Sequence, residues 1–209
     1  MKIASWVMEL KTAIIATLVL AMLLCGVYPL MVWGVAQVVF PRQANGSLLF
    51  HRGEVVGSSL IGQAFSGIRN FHPRPSAAGA GYEATASGGS NLGPLSRGLI
   101  EQVQERIRSY RAENGLLPGA LVPADAVTAS ASGLDPHISL ANAALQAERV
   151  ARARGLSKEL VFRLMRQYLE GPSLGFLGEP VVNVVRLNLV LDEQSGESSR
   201  TGTPKEALP

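Results

Sequence analysis

Charged residues disappear from this chain between Lys11 and Arg42, and the thirty positions between them are apolar or weakly polar. An α-helix rises about 1.5 Å per residue, so about 20 apolar residues cross a hydrocarbon core of about 30 Å. The run 12–41 is long enough to cross once, with some tilt and an interfacial end, and nothing later in the chain repeats it. The pattern therefore predicts a short amino-terminal segment (1–11), one transmembrane helix (12–40), a soluble domain (42–192) and a tail (193–209). A cleaved signal would have an apolar region of roughly 7–15 residues before a small-x-small site. Gly34-Val35-Ala36 has that form, but the stretch ahead of it is too long. A lipoprotein signal on Cys25 would need a small residue where Leu24 stands. An uncleaved anchor is the expectation.

The anchor has internal features. Ala13, Thr17, Ala21 and Cys25 recur every four residues, a small-xxx-small stripe along which a second helix packs closely. Pro29 is expected to kink the helix or to end its regular part. Trp6 at one end, and Tyr28 and Trp33 toward the other, suit the two interfaces. Flanking charges are nearly balanced, with Lys2, Lys11 and Glu9 before the run and Arg42 and Arg52 after it. Long following domains translocate largely regardless of charge, which favours the amino terminus inside and the domain outside.

In the domain the hydrophobic period changes repeatedly. Segments 47–50 and 54–61 flank His51-Arg52-Gly53 as a hairpin. A Gly/Ser/Pro/Ala-rich tract, 66–94, is far longer than an ordinary loop, and such loops tend to be functional or disordered. Leu95, Leu99, Val103, Ile107 and Tyr110 keep helical spacing to about Arg111, with Pro94 suited to the first turn. A second helix is expected from a Ser139 cap to Gly155, and a third from a Ser157 cap to about Leu169, with Gly171 beyond. Segment 181–191, VVNVVRLNLVL, is rich in β-branched residues and reads as a central strand. The fold class is α+β (or α/β) with few strands, tethered by one amino-terminal transmembrane helix.

Composition narrows the function. The formal charge is +3 with the basic residues dispersed, so nucleic acid is not an expected partner. The lone cysteine, Cys25, lies in the membrane run, which leaves the domain without disulfide or thiolate chemistry. The tail EQSGESSRTGTPKEALP has almost nothing apolar and reads as disordered.

Motifs for independent catalysis are missing: there is no GxxxxGK[ST], no GxGxxG behind a strand, no HExxH and no paired Cys/His cluster. His51, His72 and His137 are far apart and form no metal-ligand pattern, so no metal is expected. Asp135-Pro136-His137 contains an acid and a base, but its place before a helix cap favours a structural turn that also serves as a contact. Ser87-Gly88-Gly89-Ser90-Asn91 is a candidate backbone nest for a phosphate near a helix start. It lacks a lysine, and glycine-rich turns of this kind are usually only turns.

Several longer blocks then add up to a resemblance. GSSLIGQAF (57–65), RPSAAGAGY (74–82), SGGSNLGP (87–94), VPADAVTASASGLDPHIS (122–139), RVARARGL (149–156) and LGFLGEPVVNVVRLNLVLD (174–192) follow in order. Together with the membrane run they resemble the C subunit of the Kdp-type potassium-transporting ATPase of bacteria, over nearly the whole chain. One departure is Ala131, where the family block carries Gly; both residues are small. The resemblance implies a subunit of the bacterial inner membrane that is no enzyme on its own. Its implied partners are a channel-like potassium-binding subunit, a P-type ATPase subunit that consumes ATP, and a very small single-helix subunit, with K+ as cargo. The chain agrees with that division, having neither a DKTGT phosphorylation motif nor a TVGYG-like filter. Such subunits are described as assembly factors and as catalytic chaperones that raise the ATP affinity of the pump subunit. The SGGS block, similar to an ABC-type signature turn, is the residue basis of the second idea. The two conflict over topology, because a domain outside the membrane cannot touch cytoplasmic ATP. A different class of reading is a membrane-anchored nucleotide- or metal-dependent enzyme using Ser87 to Asn91 and His137. The missing lysine, carboxylate pair and metal spacing argue against it.

Overall fold

The computed structural model describes residues 2–195, which separate into two compact units meeting at Ser47 and Leu48. The first is helical: α1 (Lys2–Ala21), a π-helical segment (Met22–Val27), α2 (Tyr28–Val39) and a single turn, α3 (Pro41–Ala44). Among the described residues one helix is long and apolar enough to cross a membrane, the 34-residue stretch Trp6–Val39. At about 1.5 Å per residue it measures about 50 Å, more than the hydrocarbon core alone requires.

The helix passes through Pro29 by changing register. Proline offers no N–H and crowds the carbonyl four residues back. Here the preceding turn widens, and the Tyr28 N–H reaches the Leu23 carbonyl five residues back. Ala13, Thr17 and Ala21 lie in α1, whereas Cys25 falls in the π-helical segment.

The second unit begins with a hairpin, β1 (Leu48–His51) and β2 (Glu54–Ser58), paired antiparallel with a bulge at Leu49/Phe50. Its turn residues Arg52 and Gly53 both have positive φ, 53° and 86°, the backbone twist that two-residue hairpin turns need. The second strand stops at Ser58, earlier than the apolar run suggests, because the Ser58 hydroxyl accepts the Leu60 N–H at 3.1 Å and turns the chain.

After the tract come α4 (Arg97–Glu113), a 3₁₀ turn (Ala124–Ala126), β3 (His137–Ser139), α5 (Leu140–Arg154) and α6 (Lys158–Gln167). They are followed by β4 (Leu169–Glu170), β5 (Val181–Asn183) and α7 (Val184–Gln194). Ser139 and Ser157 cap α5 and α6 as expected, accepting the N–H groups of Asn142 and Leu160. Helix α4 starts later than Pro94 suggests: Ser96 N–H bonds the Gly93 carbonyl, Ser96 takes the cap position, and Leu95 is left exposed. Leu169, expected at the end of α6, belongs to β4.

The three-stranded sheet has the order β3-β5-β4, antiparallel throughout, with Val182 facing both Ile138 and Leu169. Val182 and Ile138 join Ala143, Ala147 and Val150 of α5, Val161 and Met165 of α6, and Leu187 and Leu191 of α7 in one buried core. Complete burial of a side chain such as Leu187 contributes about 1.5–3 kcal/mol.

The expected strand over 181–191 is corrected: only its first three residues are β, and the rest is α7. Asn183 decides the switch. Its side chain accepts the Arg186 N–H at 3.2 Å, capping the helix, while the Val184 N–H bonds the Pro136 carbonyl. Val184, Leu187 and Leu191 then recur at helical spacing on the buried face. Helix α7 also runs two residues into the segment expected as tail; the rest of that tail, after Ser195, lies outside the described residues.

Candidate functional site

The long tract 66–94 contains no helix or strand, yet its first part is fastened to the core by side chains that imitate a neighbouring strand. The Phe71 N–H donates to Asn188 Oδ1 at 2.8 Å, and Asn188 Nδ2 donates back to the Phe71 carbonyl at 3.0 Å. Gln146 does the same for His72, accepting its N–H at 2.7 Å and donating to its carbonyl at 3.1 Å. Both amides are buried, so each bond removes a donor or acceptor that would otherwise be costly to leave unmet. Two arginines from α5 complete the attachment. Arg149 donates to the carbonyls of Ile68 and Asn70 and to Asn114 Oδ1, and Arg154 to the Arg69 carbonyl and Asn70 Oδ1. Arg154 also pairs with Asp192 of α7 at 2.7 Å, with both side chains almost fully buried.

A second polar cluster joins α4, the 3₁₀ turn and α5. Asp125 accepts the N–H and hydroxyl of Ser139 at 2.8 and 2.9 Å and Asn142 Nδ2 at 3.0 Å. Asn142 Oδ1 in turn accepts from the Tyr110 hydroxyl and from Gln146, both at 2.8 Å. Burial, with the Asp125 carboxylate nearby, pushes the Tyr110 hydroxyl well above its ordinary pKa and keeps it a donor.

The Asp135-Pro136-His137 turn lies between the tract and the sheet. Asp135 Oδ1 accepts the His137 N–H at 3.0 Å and faces His137 Nδ1 at 3.1 Å, while Oδ2 meets Arg74 Nη1 at 3.2 Å. On the far side of the ring, His137 Nε2 lies 3.3 Å from Glu170 Oε2, and Arg186 Nη1 donates to Glu170 Oε1 at 2.9 Å. Arg74, Asp135, His137, Glu170 and Arg186 thus form one chain of alternating charge across the tract, β3, β4 and α7. Burial opposes the ionised form of Asp135, but the hydrogen bonds from His137 and the nearby cations outweigh it and hold its carboxyl below the usual range.

The candidate nest is tied down from one side. The Gly88 N–H donates to the Ser132 carbonyl at 2.9 Å, and the Ser87 hydroxyl to the same oxygen at 3.0 Å. Gly133 makes this crossing possible. Its φ is 68°, and a Cβ there would lie 2.7 Å from the Ala78 nitrogen and the Gly88 carbonyl oxygen. Ser90 and Asn91 remain exposed, Asn91 with φ 52°. The three histidines stay in separate surroundings: His51 in the hairpin faces Glu193, His72 faces Glu113 and the Gly67 carbonyl, and His137 lies in the turn just described. Burial, together with Arg149, holds the pKa of His72 below its ordinary value. Among the described residues no group of three or more His, Cys, Asp and Glu side chains is disposed to hold a metal.

A family model described as "K+-transporting ATPase, c chain" matches residues 10–193, the helix and the folded domain together. The chain belongs to the KdpC family. It is 56% identical over 187 residues to the potassium-transporting ATPase KdpC subunit of Nitratidesulfovibrio vulgaris, covering 89% of this chain and 94% of that one. The proteins of the same description from Mycobacterium tuberculosis and Rhodospirillum rubrum are each 54% identical. The matches cover 88% of this chain in both cases and 97% and 95% of theirs.

The resemblance read from the quoted blocks and the family match therefore agree. Sequence reasoning had singled out Asp135 and His137 but not Arg74, Glu170 and Arg186, which complete their charge chain. Nor did it assign roles to Gln146, Arg149, Arg154 and Asn188, which fasten the tract. Arg74, Arg149, Arg154, Arg186 and Asn188 do lie inside quoted blocks, and that was the available signal; Gln146 and Glu170 do not.

Proposed function

We propose that the chain is an accessory, non-catalytic subunit of a high-affinity, ATP-driven potassium uptake complex. In this reading the helix Trp6–Val39 anchors it in the bacterial inner membrane, with the amino terminus cytoplasmic and the folded domain periplasmic. Its partners are the channel-like potassium-binding subunit, the P-type ATPase subunit and the small single-helix subunit, and it is needed for their assembly and activity. ATP is consumed by the pump subunit, and K+ is cargo. The observation that carries the reading is the family match over helix and domain together. The use of the acid, base and guanidinium groups around Asp135 and His137 in bonds between segments agrees with it.

The small residues of α1 supply the test. Enlarging Ala13 and Ala21 to Leu should weaken co-purification of the chain with the pump subunits, because the added volume blocks close helix approach. Exchanging Leu18 and Leu23 for Ile, at constant volume, should do so much less. Equal recovery of the complex from both sets would remove the helix from the packing interface.

The second reading is a catalytic chaperone that raises the ATP affinity of the pump subunit through Ser87, Gly88, Gly89, Ser90 and Asn91. The exposure of Ser90 and Asn91 favours it; the engagement of the Gly88 N–H and the Ser87 hydroxyl with Ser132 weighs against it. Calorimetry of ATP into the purified chain is expected to show no saturable binding, since a nest without a cationic side chain holds phosphate weakly. Saturable, sub-millimolar binding that Gly88→Val abolishes would establish the chaperone reading instead.

A further inference from the structure

Both ring nitrogens of His137 face carboxylates: Nδ1 lies 3.1 Å from Asp135 Oδ1 and Nε2 lies 3.3 Å from Glu170 Oε2. A neutral imidazole carries one N–H and can donate to only one of them; the imidazolium donates to both. We propose that His137 is a pH-released latch which, when protonated, holds β4 and the loop 171–180 against β5 and α7.

The fold makes that segment depend on side-chain ties. β4 consists of Leu169 and Glu170 only, paired with Val182 and Val181 at the edge of the sheet. The loop beyond it ends in an apolar tip, with Leu174, Phe176 and Leu177 exposed and Ser173 bridged to Leu177. Glu170 is the charged side chain that ties β4 inward, with Oε2 toward His137 and Oε1 toward Arg186. Loss of the proton on Nε2 leaves a lone pair facing the Glu170 carboxylate and only Arg186 holding it.

The released state has its own partner. With Nδ1–H kept on Asp135, Nε2 accepts from Asn183 Nδ2, which lies 3.4 Å away and already donates to the Ser59 carbonyl at 2.8 Å. The ring thus has two arrangements in one site, linked to Glu170 when charged and to Asn183 when neutral. The other charged groups facing it are accounted for. Arg74 engages Asp135, and Asp125 and Glu179 line the adjoining cleft, with the Asp125 carboxylate occupied by Ser139 and Asn142.

The hydrogen bond to Asp135, followed by the Glu170 and Asp135 charges, raises the pKa of His137 above its ordinary value of 6.5, against the effect of burial. A raised folded-state pKa contributes stability that is fully present below the ordinary value and is lost as pH rises through the folded one. The latch is therefore closed below the ordinary histidine value and opens as pH rises through the raised folded-state one. It operates in the chain alone, whatever the assembled complex does.

Hydrogen exchange of the full chain in lipid nanodiscs, from about pH 5.5 to about pH 8.5, tests this across the histidine range. After correction for intrinsic exchange, protection of 169–180 should fall several-fold, up to about ten-fold, as pH rises. His137→Gln should flatten that profile, and His72→Gln should leave it in place. Persistence of the pH dependence in His137→Gln would overturn the latch. A second measurement stands if that variant does not fold. NMR titration of the three histidines should show the His137 pKa falling when Glu170 is changed to Gln, and an unchanged value would equally overturn it.

Discussion

Cells whose chain is reduced to its helix, with residues 42–192 removed, should fail to grow on low potassium, and the full chain should restore growth. The expectation rests on how the polypeptide is divided. The helical unit offers one apolar rod, which can pack against other helices but cannot fix the separation or register of the proposed partner subunits on its own. The unit beginning at Leu48 is a separately compact body. The start of its long tract is fastened by Asn188, Gln146, Arg149 and Arg154, and so offers a fixed surface at little ordering cost on binding. The measurement is growth against potassium concentration, paired with potassium-stimulated ATPase activity of the purified complex; both should be lost. Full growth with the helix alone would place the function in the membrane segment.

The largest stability effect should come from separating Arg154 from Asp192. Their side chains are only 1% and 9% exposed. Arg154→Met leaves the Asp192 carboxylate buried without this partner and also removes the Arg154 bonds to the Arg69 carbonyl and Asn70 Oδ1. Breaking such a pair on one side costs about 3–5 kcal/mol. For a chain of this size that is a loss of roughly 6–20 °C in Tm. Converting both partners, Arg154→Met with Asp192→Leu, should recover much of the loss, because a well-packed apolar pair carries no desolvation cost. Arg152→Met is the control. Its side chain is 80% exposed and its pair with Glu148 is solvated, so the change should leave stability almost unaltered. Thermal and urea unfolding of the full chain measures all three. A single and a double variant of equal stability would show that the pair does not hold α5 to α7.

Local signals were enough to indicate one long apolar helix near the amino terminus, the hairpin and the capped starts of α5 and α6. Each depends on residues within a few positions of one another. An uncharged run satisfies the backbone in lipid only as a helix, and a serine hydroxyl caps a helix from three residues away. The ordered blocks likewise carried the family resemblance without any knowledge of the fold.

Segment 181–191 shows where local reasoning stopped. Its β-branched residues fit either a strand or a buried helix, and the choice fell to Asn183 and to the pairing of Val184 with Pro136, 48 positions earlier in the sequence. The tract 66–94 had no period to read, because its first part is ordered by amide and guanidinium groups supplied from α5 and α7. The turn at Asp135 and His137 was visible as residues but not as a charge chain, since Arg74, Glu170 and Arg186 reach it from three other segments. Sequence by itself determined what can form within a few residues: a span, a turn or a cap. Tertiary structure alone decided which distant polar groups meet, because a buried donor or charge must find its partner wherever the packed core brings one within about 3 Å.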